Sequence, residues 1–272
     1  MQMIYQEVDS PLHRLNPLSK VLALVPIVLF VALTTDPWVP LVFLVLAVVI
    51  ILGPARVSLR TFGRINVPLF LAMVSFMVTY PFLVRAELFN HSPVFLQLGP
   101  ITVYQAAVVS GAAAVLRVYA MFLLSLIFTF TTDISDFIRA LVQQWKFPYK
   151  LGYGVLAAFR FVPMLQSEFR LIQAAHKIRG IEDRGGLRVQ YERLRRYIIP
   201  LLATAIRRAE RTALAMDGRA FGVLARRSYF KQFRFHGRDY LFIASFWLLC
   251  LLLIGICWYA GWLGPLSLLK NL

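Results

Sequence analysis

Five apolar stretches dominate the chain: 18–34, 38–52, 67–84, 101–130 and 240–263. Each approaches the roughly 20 apolar residues that a helix needs to cross a bilayer, so the pattern predicts about five transmembrane helices. Thr35-Asp36-Pro37 separates the first two and suits the tight turn of a helical hairpin. The fourth stretch is longer than one span requires. It carries Arg117 near its middle and places Ala106, Ser110 and Ala114 beside Ala107 and Gly111. Small residues at four-residue spacing let helices approach closely in lipid. Arg117 is either a functional intramembrane charge or a sign that the helix overshoots the membrane. The second is the preferred expectation, with Arg117 near the cytosolic boundary or against protein.

Past Thr132 the texture changes. Asp133 is placed to cap a helix, with Asp136 in its first turn. Phe147-Pro148-Tyr149 breaks that helix. From Leu151 the apolar positions Leu151, Val155, Ala158, Val162, Leu165, Phe169 and Ile172 alternate steps of four and three. That spacing draws one stripe along a helix, with Arg160, Glu168 and Arg170 off it. A second helix is expected over 194–216, with Pro200 kinking its start and Ala205, Ala209 and Ala213 forming a small-residue seam. These stripes need a counterpart in each other, the membrane surface or another protein. The chain therefore divides into 1–130 with the first four spans, a helical amphipathic segment 131–239, and a last span with its tail, 240–272.

A short internal echo lies in that segment. Ala175-His176-Lys177-Ile178-Arg179-Gly180 and Ala215-Met216-Asp217-Gly218-Arg219-Ala220 both read alanine, three residues, arginine, then a small residue. Each arginine falls near the C-terminal end of a predicted helix, where a cation favours the helix dipole and a glycine can end the helix. An arginine flanked by small residues can also insert its guanidinium fork into an acidic groove on a partner.

Charge gives these elements an orientation. The chain is 59% hydrophobic, with a mean hydropathy of +0.68, against the roughly 45–50% usual for soluble domains. Its formal charge is +16, and 21 of its 29 Lys and Arg fall within 131–239, against nine acids. Segment 54–66 adds Arg56, Arg60 and Arg64, whereas 85–100 has only Arg85. The positive-inside rule then places the N-terminus, 54–66 and 131–239 in the cytosol, and 85–100 and the C-terminus outside. The excess charge also suits contact with anionic membrane lipids. Met1–Asn16 is polar and the first apolar run lacks a small-residue cleavage site, so no signal peptide is expected. Cys250 and Cys257 lie seven apart in the last span and read as packing residues.

Motifs for catalysis are missing. No G-x-x-x-x-G-K-[ST], H-E-x-x-H or G-x-S-x-G occurs, and His13, His91, His176 and His236 are scattered. Acids are essentially absent from the spans, against a proton- or sodium-coupled carrier. No nucleic-acid or metal site is expected.

Several short motifs, in order, resemble the transmembrane T component of energy-coupling factor transporters, the vitamin and metal importers related to ABC transporters. They are Ser10-Pro11-Leu12-His13-Arg14-Leu15-Asn16-Pro17 with Lys20, Thr131-Thr132, Phe147-Pro148, Arg160-Phe161-Val162-Pro163 with Glu168, and the two X-Arg-X motifs Ile178-Arg179-Gly180 and Gly218-Arg219-Ala220. The family often shows Ala-Arg-Gly; here isoleucine precedes Arg179, and glycine and alanine flank Arg219. The resemblance implies a non-catalytic subunit of a prokaryotic cell membrane with two ABC-type ATPase partners, which bind ATP and Mg, and a small membrane S component, which captures substrate. Arg179 and Arg219 would sit in the ATPase grooves. The Leu151–Ile172 stripe would be the S-component platform or the scaffold's own packing. A membrane enzyme acting on a phosphorylated lipid and a conventional ABC permease are the alternatives. The first would need a general base or metal ligands near the arginines.

Overall fold

The computed structural model describes residues 10–83, 94–98, 101–179, 186–223 and 229–262. Within them run α1 (Pro17–Leu33), α2 (Trp38–Leu52), α3 (Leu59–Leu83), β1 (Val94–Leu98), β2 (Ile101–Tyr104), α4 (Gln105–Thr131), α5 (Ile134–Gln144), α6 (Tyr149–Ile178), α7 (Leu187–Asp217) and α8 (Gly237–Tyr259). The protein is an all-α integral membrane protein, apart from the short antiparallel pair β1–β2.

Side-chain caps set the starts of α1 and α5. Asn16 Oδ1 accepts from the Leu18 amide at 3.1 Å, and Pro17 takes the first helical position of α1, where a missing amide costs nothing. Asp133 caps α5 as expected, its Oδ1 accepting from Ser135 N at 2.6 Å and Asp136 N at 3.2 Å. Two expected starts move. Helix α3 begins at Leu59 rather than 67, because Arg60 and Arg64 lower hydropathy but are good helix formers. The apolar run expected as one span over 101–130 divides: Ile101–Tyr104, β-branched or aromatic, pairs as β2, and the helix starts at Gln105.

Helices α3, α4 and α8 are long and apolar enough to cross a membrane by themselves. With 17 and 15 residues, α1 and α2 are about 25 and 23 Å long, short of a hydrocarbon core of about 30 Å. They form the centre of the bundle, with α4 against α1, α2 and α3, and α8 against α1 and α2. Val31, Phe43, Ile51, Leu123, Leu124, Phe130, Cys250 and Cys257 fill this core, and both cysteines are free thiols. The expected small-residue seam is used: Ala107 and Gly111 are buried, and a Cβ on Gly111 would lie 2.7 Å from the Tyr80 ring. Arg117 lies midway along α4, half-buried, with its Nε shielded and without a hydrogen-bond partner among the described residues. It is thus held against protein rather than at the helix end. At one end of the bundle, Trp38 stacks on Trp262 at 5.1 Å.

The chain separates into two compact units, Met1–Ala140 with Arg234–Leu272, and Leu141–Phe233. In the second, α6 and α7 pair antiparallel: Phe169 and His176 of α6 meet Tyr197 of α7, while Tyr149 and Tyr153 at the start of α6 meet Phe221 just past α7. Gln143 ties the returning chain down, donating to Lys231 O and accepting from Phe233 N, both at 2.9 Å. Helix α7 starts at Leu187, not 194, so Pro200 lies inside it rather than at its start. The alanine seam is only partly used: Ala205 is half-buried, whereas Ala209 and Ala213 are exposed, because α6 meets the face that carries Tyr197.

Candidate functional site

The two arginine motifs end the two long helices of the second unit. Arg179 is the cap of α6, its amide reaching the carbonyls of Ala175 and Lys177. The side chains of Ile178 and Arg179 are exposed, Ile178 at 88%, which is costly for an isoleucine unless something covers it. Gly180 lies outside the described residues.

Arg219 follows the last turn of α7. There Phe221 N donates to Met216 O at 3.0 Å and Ala220 N to Asp217 O at 2.9 Å, the paired closure of a Schellman motif. That closure needs a left-handed residue, and Ala220 supplies it with φ of 55°. A residue with a Cβ held there costs about 1–2 kcal/mol. The Phe221 ring, wedged edge-on against Tyr149 and Tyr153 at 5.9 and 6.1 Å, holds the turn in place. Gly218, Arg219 and Ala220 are all exposed.

Because α6 and α7 run antiparallel, Arg179 and Arg219 stand at opposite ends of the pair. Thirty residues of α6 separate those ends by about 45 Å. One compact groove cannot hold both arginines. Each end also carries the partial negative charge of a helix C-terminus, which an arginine complements by about 0.3–1 kcal/mol.

The Leu151–Ile172 stripe divides in two. Leu165, Phe169 and Ile172 are half-buried, with Phe169 against Tyr197 of α7. Leu151, Val155, Ala158 and Val162 remain exposed, because Tyr149 and Tyr153, on another face of α6, make the contact with Phe221. The apolar face of α7 that bears Ile198, Leu202 and Ile206 is open too.

A further constellation went unassigned from the sequence. The N-terminal signature and Thr131-Thr132 meet in a polar lock at one end of the bundle. Lys20, 2% exposed, donates to Thr131 O at 2.6 Å and to Thr132 Oγ1 at 3.3 Å, closing the C-terminus of α4. The His13 ring joins Ser10 Oγ at 2.6 Å to Phe130 O at 3.2 Å. Asp239, 3% exposed, accepts from Asn16 N and His236 N, both at 2.8 Å, and from Ser19 Oγ at 3.4 Å. The segment before α1 is thereby bonded to the end of α4 and the start of α8. A lysine and an aspartate on two apolar helices were the available signal.

Comparison with known proteins gives the family. The family described as CbiQ, cobalt transport protein, matches residues 9–229. Energy-coupling factor transporter transmembrane proteins EcfT are similar along most of their length. That of Lactococcus lactis is 27% identical over 90% of this chain and 93% of its own. That of Acidaminococcus fermentans is 29% identical over 80% and 81%, and that of Bacillus subtilis 26% over 90% and 93%. The matched region takes in α1 to α7 but not α8, and the chain belongs to the CbiQ family.

Proposed function

We propose that this protein is the transmembrane scaffold of an energy-coupling factor importer. In this reading two partner ATPases bind ATP and Mg and dock on Arg179 and Arg219. A separate S component captures a vitamin or a transition-metal ion, and the chain passes ATPase closure to it. The observation that carries this reading is the pair of exposed arginine turns at opposite ends of α6–α7, in a chain of the CbiQ family. Two sites about 45 Å apart suit two ATPases that approach each other on closing. Exposed Leu151, Val155, Ala158 and Val162 of α6 and the open face of α7 offer apolar surface for the S component or the membrane. The polar-lock end of the bundle, rich in arginine, faces the cytosol.

The test is co-purification. The chain should elute with two nucleotide-binding subunits, and the assembly should take up substrate only with a fourth, small membrane protein. Saturable substrate binding by the chain and its ATPases alone would replace this reading with a conventional permease. For orientation, Gly186→Cys should resist a membrane-impermeant thiol label in intact cells, while His91→Cys should react.

A further inference from the structure

Arg117 is the one charged residue within α4, and it stands deep in that helix. The 27 residues of α4 span about 40 Å, with Arg117 about 18 Å from Gln105 and about 21 Å from Thr131. The β1–β2 pair at one end keeps open strand edges and so lies outside the hydrocarbon. About 10 Å of α4 exceeds a core of about 30 Å; shared between the two ends, it leaves the Arg117 backbone about 13 Å or more inside either boundary. An extended arginine side chain reaches about 7 Å. Its guanidinium therefore stays in the hydrocarbon, out of reach of a lipid phosphate.

A cation at that depth is unfavourable without a counter-charge, and this chain does not supply one. Arg117 is half-buried, and its shielded Nε has no hydrogen-bond partner among the described residues. No aspartate or glutamate occurs in α1, α2, α3 or α4. The one in α8, Asp239, is bonded into the polar lock by Asn16, Ser19 and His236. A second copy of the chain would bring the same acid-free helices. The face around Arg117 has room for a different helix. Ser110 and Ala114, seven and three residues before it, share its side of α4 and are half-buried, as is Met121 one turn on. Small side chains at these positions allow close approach in lipid.

We propose that Arg117 is an intramembrane docking point for a second membrane protein, one whose transmembrane helix carries an aspartate or glutamate at the same depth. Such a carboxylate accepts two parallel hydrogen bonds from the guanidinium fork and neutralises it. Resting on the transporter reading, this partner is the S component, since cytosolic ATPases do not reach the middle of the bilayer. An apolar helix would leave the cation uncompensated, and a neutral polar one would leave its charge. Two opposite charges that are each unfavourable in hydrocarbon also fix the register in which the two helices meet.

Site-directed photocrosslinking in the complex purified from native membranes tests this. A benzophenone amino acid in place of Met121 should join the small membrane subunit, within a transmembrane segment that holds an aspartate or glutamate. Arg117→Leu should lower that crosslink at least about tenfold, and Arg117→Lys by no more than about threefold. Arg117→Glu should abolish it, and arginine in place of the partner's carboxylate should restore it in that background. ATPase pull-down should stay unchanged throughout. The isolated chain gives a second readout: with no counter-charge of its own to lose, Arg117→Leu should unfold in detergent at the same Tm or higher. A crosslink confined to lipid, to another copy or to a segment without an acid would overturn the proposal. So would a crosslink unaffected by Arg117→Leu, charge exchange without rescue, or a lower Tm. If the ATPases and the small subunit are retained in those cases, the transporter reading stands; a parent chain that retains neither would overturn both.

Discussion

The ammonium of Lys20 donates to the carbonyl of Thr131 at 2.6 Å across 111 residues of chain, almost wholly out of solvent. A helix that ends inside a protein leaves carbonyls without partners, and a buried cation is a strong donor for one of them. Lys20→Met, which keeps the length of the side chain and removes its donors, should destabilise the bundle by about 1.5–3 kcal/mol. Thermal unfolding in detergent, followed by tryptophan fluorescence, reads this as a fall in Tm. An unchanged Tm would mean that the bond is incidental.

Asp239 belongs to the same lock and carries the opposite charge. Asp239→Asn keeps the shape but offers an amide in place of one acceptor, so either the Asn16 or the His236 amide loses its bond. The expected cost is about 1–3 kcal/mol. Combined with Lys20→Met, the loss should fall short of the sum by about 0.5–3 kcal/mol, since both changes strike one network. Strict additivity in the double-mutant cycle would contradict a single lock.

Gly111 sets how closely α3 approaches α4. Its missing Cβ would sit 2.7 Å from a carbon of the Tyr80 ring, so even alanine forces a shift. Gly111→Ala should cost about 1–3 kcal/mol, the usual range for overpacking. Tyr80→Ala in the same chain should recover part of it. A Gly111→Ala protein as stable as the parent would show that α3 is free to move aside.

The two arginine turns give the functional prediction. If each guanidinium meets an acidic partner, its loss costs about 2–5 kcal/mol of docking, a factor of roughly 30 to several thousand in affinity. Arg179→Ala or Arg219→Ala alone should reduce uptake more than assembly. Together they should release the ATPases while the protein stays in the membrane. Arg195→Ala, another exposed cation on α7, should do little. Full ATPase pull-down and uptake by the double variant would reduce both arginines to helix-end charges.

Ala220 separates the turn from the charge. Ala220→Gly relieves left-handed strain and should leave docking intact with stability equal or higher, by up to about 1 kcal/mol. Ala220→Val places a β-branched side chain at φ of 55° and should cost more than the alanine does. If docking falls with valine while the second unit stays folded, the geometry of the turn matters beside the charge of Arg219.

What the sequence discloses depends on how far apart the partners lie. Helix α2 is legible to the residue because Asp36-Pro37 and Gly53-Pro54 bracket an unbroken apolar run. The start of α3 was not, since hydropathy cannot see a helix that enters the membrane behind two arginines. The stripe from Leu151 to Ile172 was correctly a helix face, yet only tertiary contact reveals that α7 covers its second half. The contacts of the polar lock are hidden for the same reason: its three groups, 10–20, 130–132 and 236–239, lie more than 100 residues apart, and no periodicity links them. Arg179 and Arg219 were visible by repetition, but their placement at opposite ends needed the antiparallel pairing.

The two ends of the helix bundle are held by different kinds of force. At one, hydrogen bonds through His13, Lys20 and Asp239 allow a single register, because they fail when moved by an ångström. At the other, the stacked faces of Trp38 and Trp262 keep most of their attraction while sliding over one another. The membrane bundle is therefore pinned in register at its polar end and joined with less directional preference where α2 starts and α8 finishes.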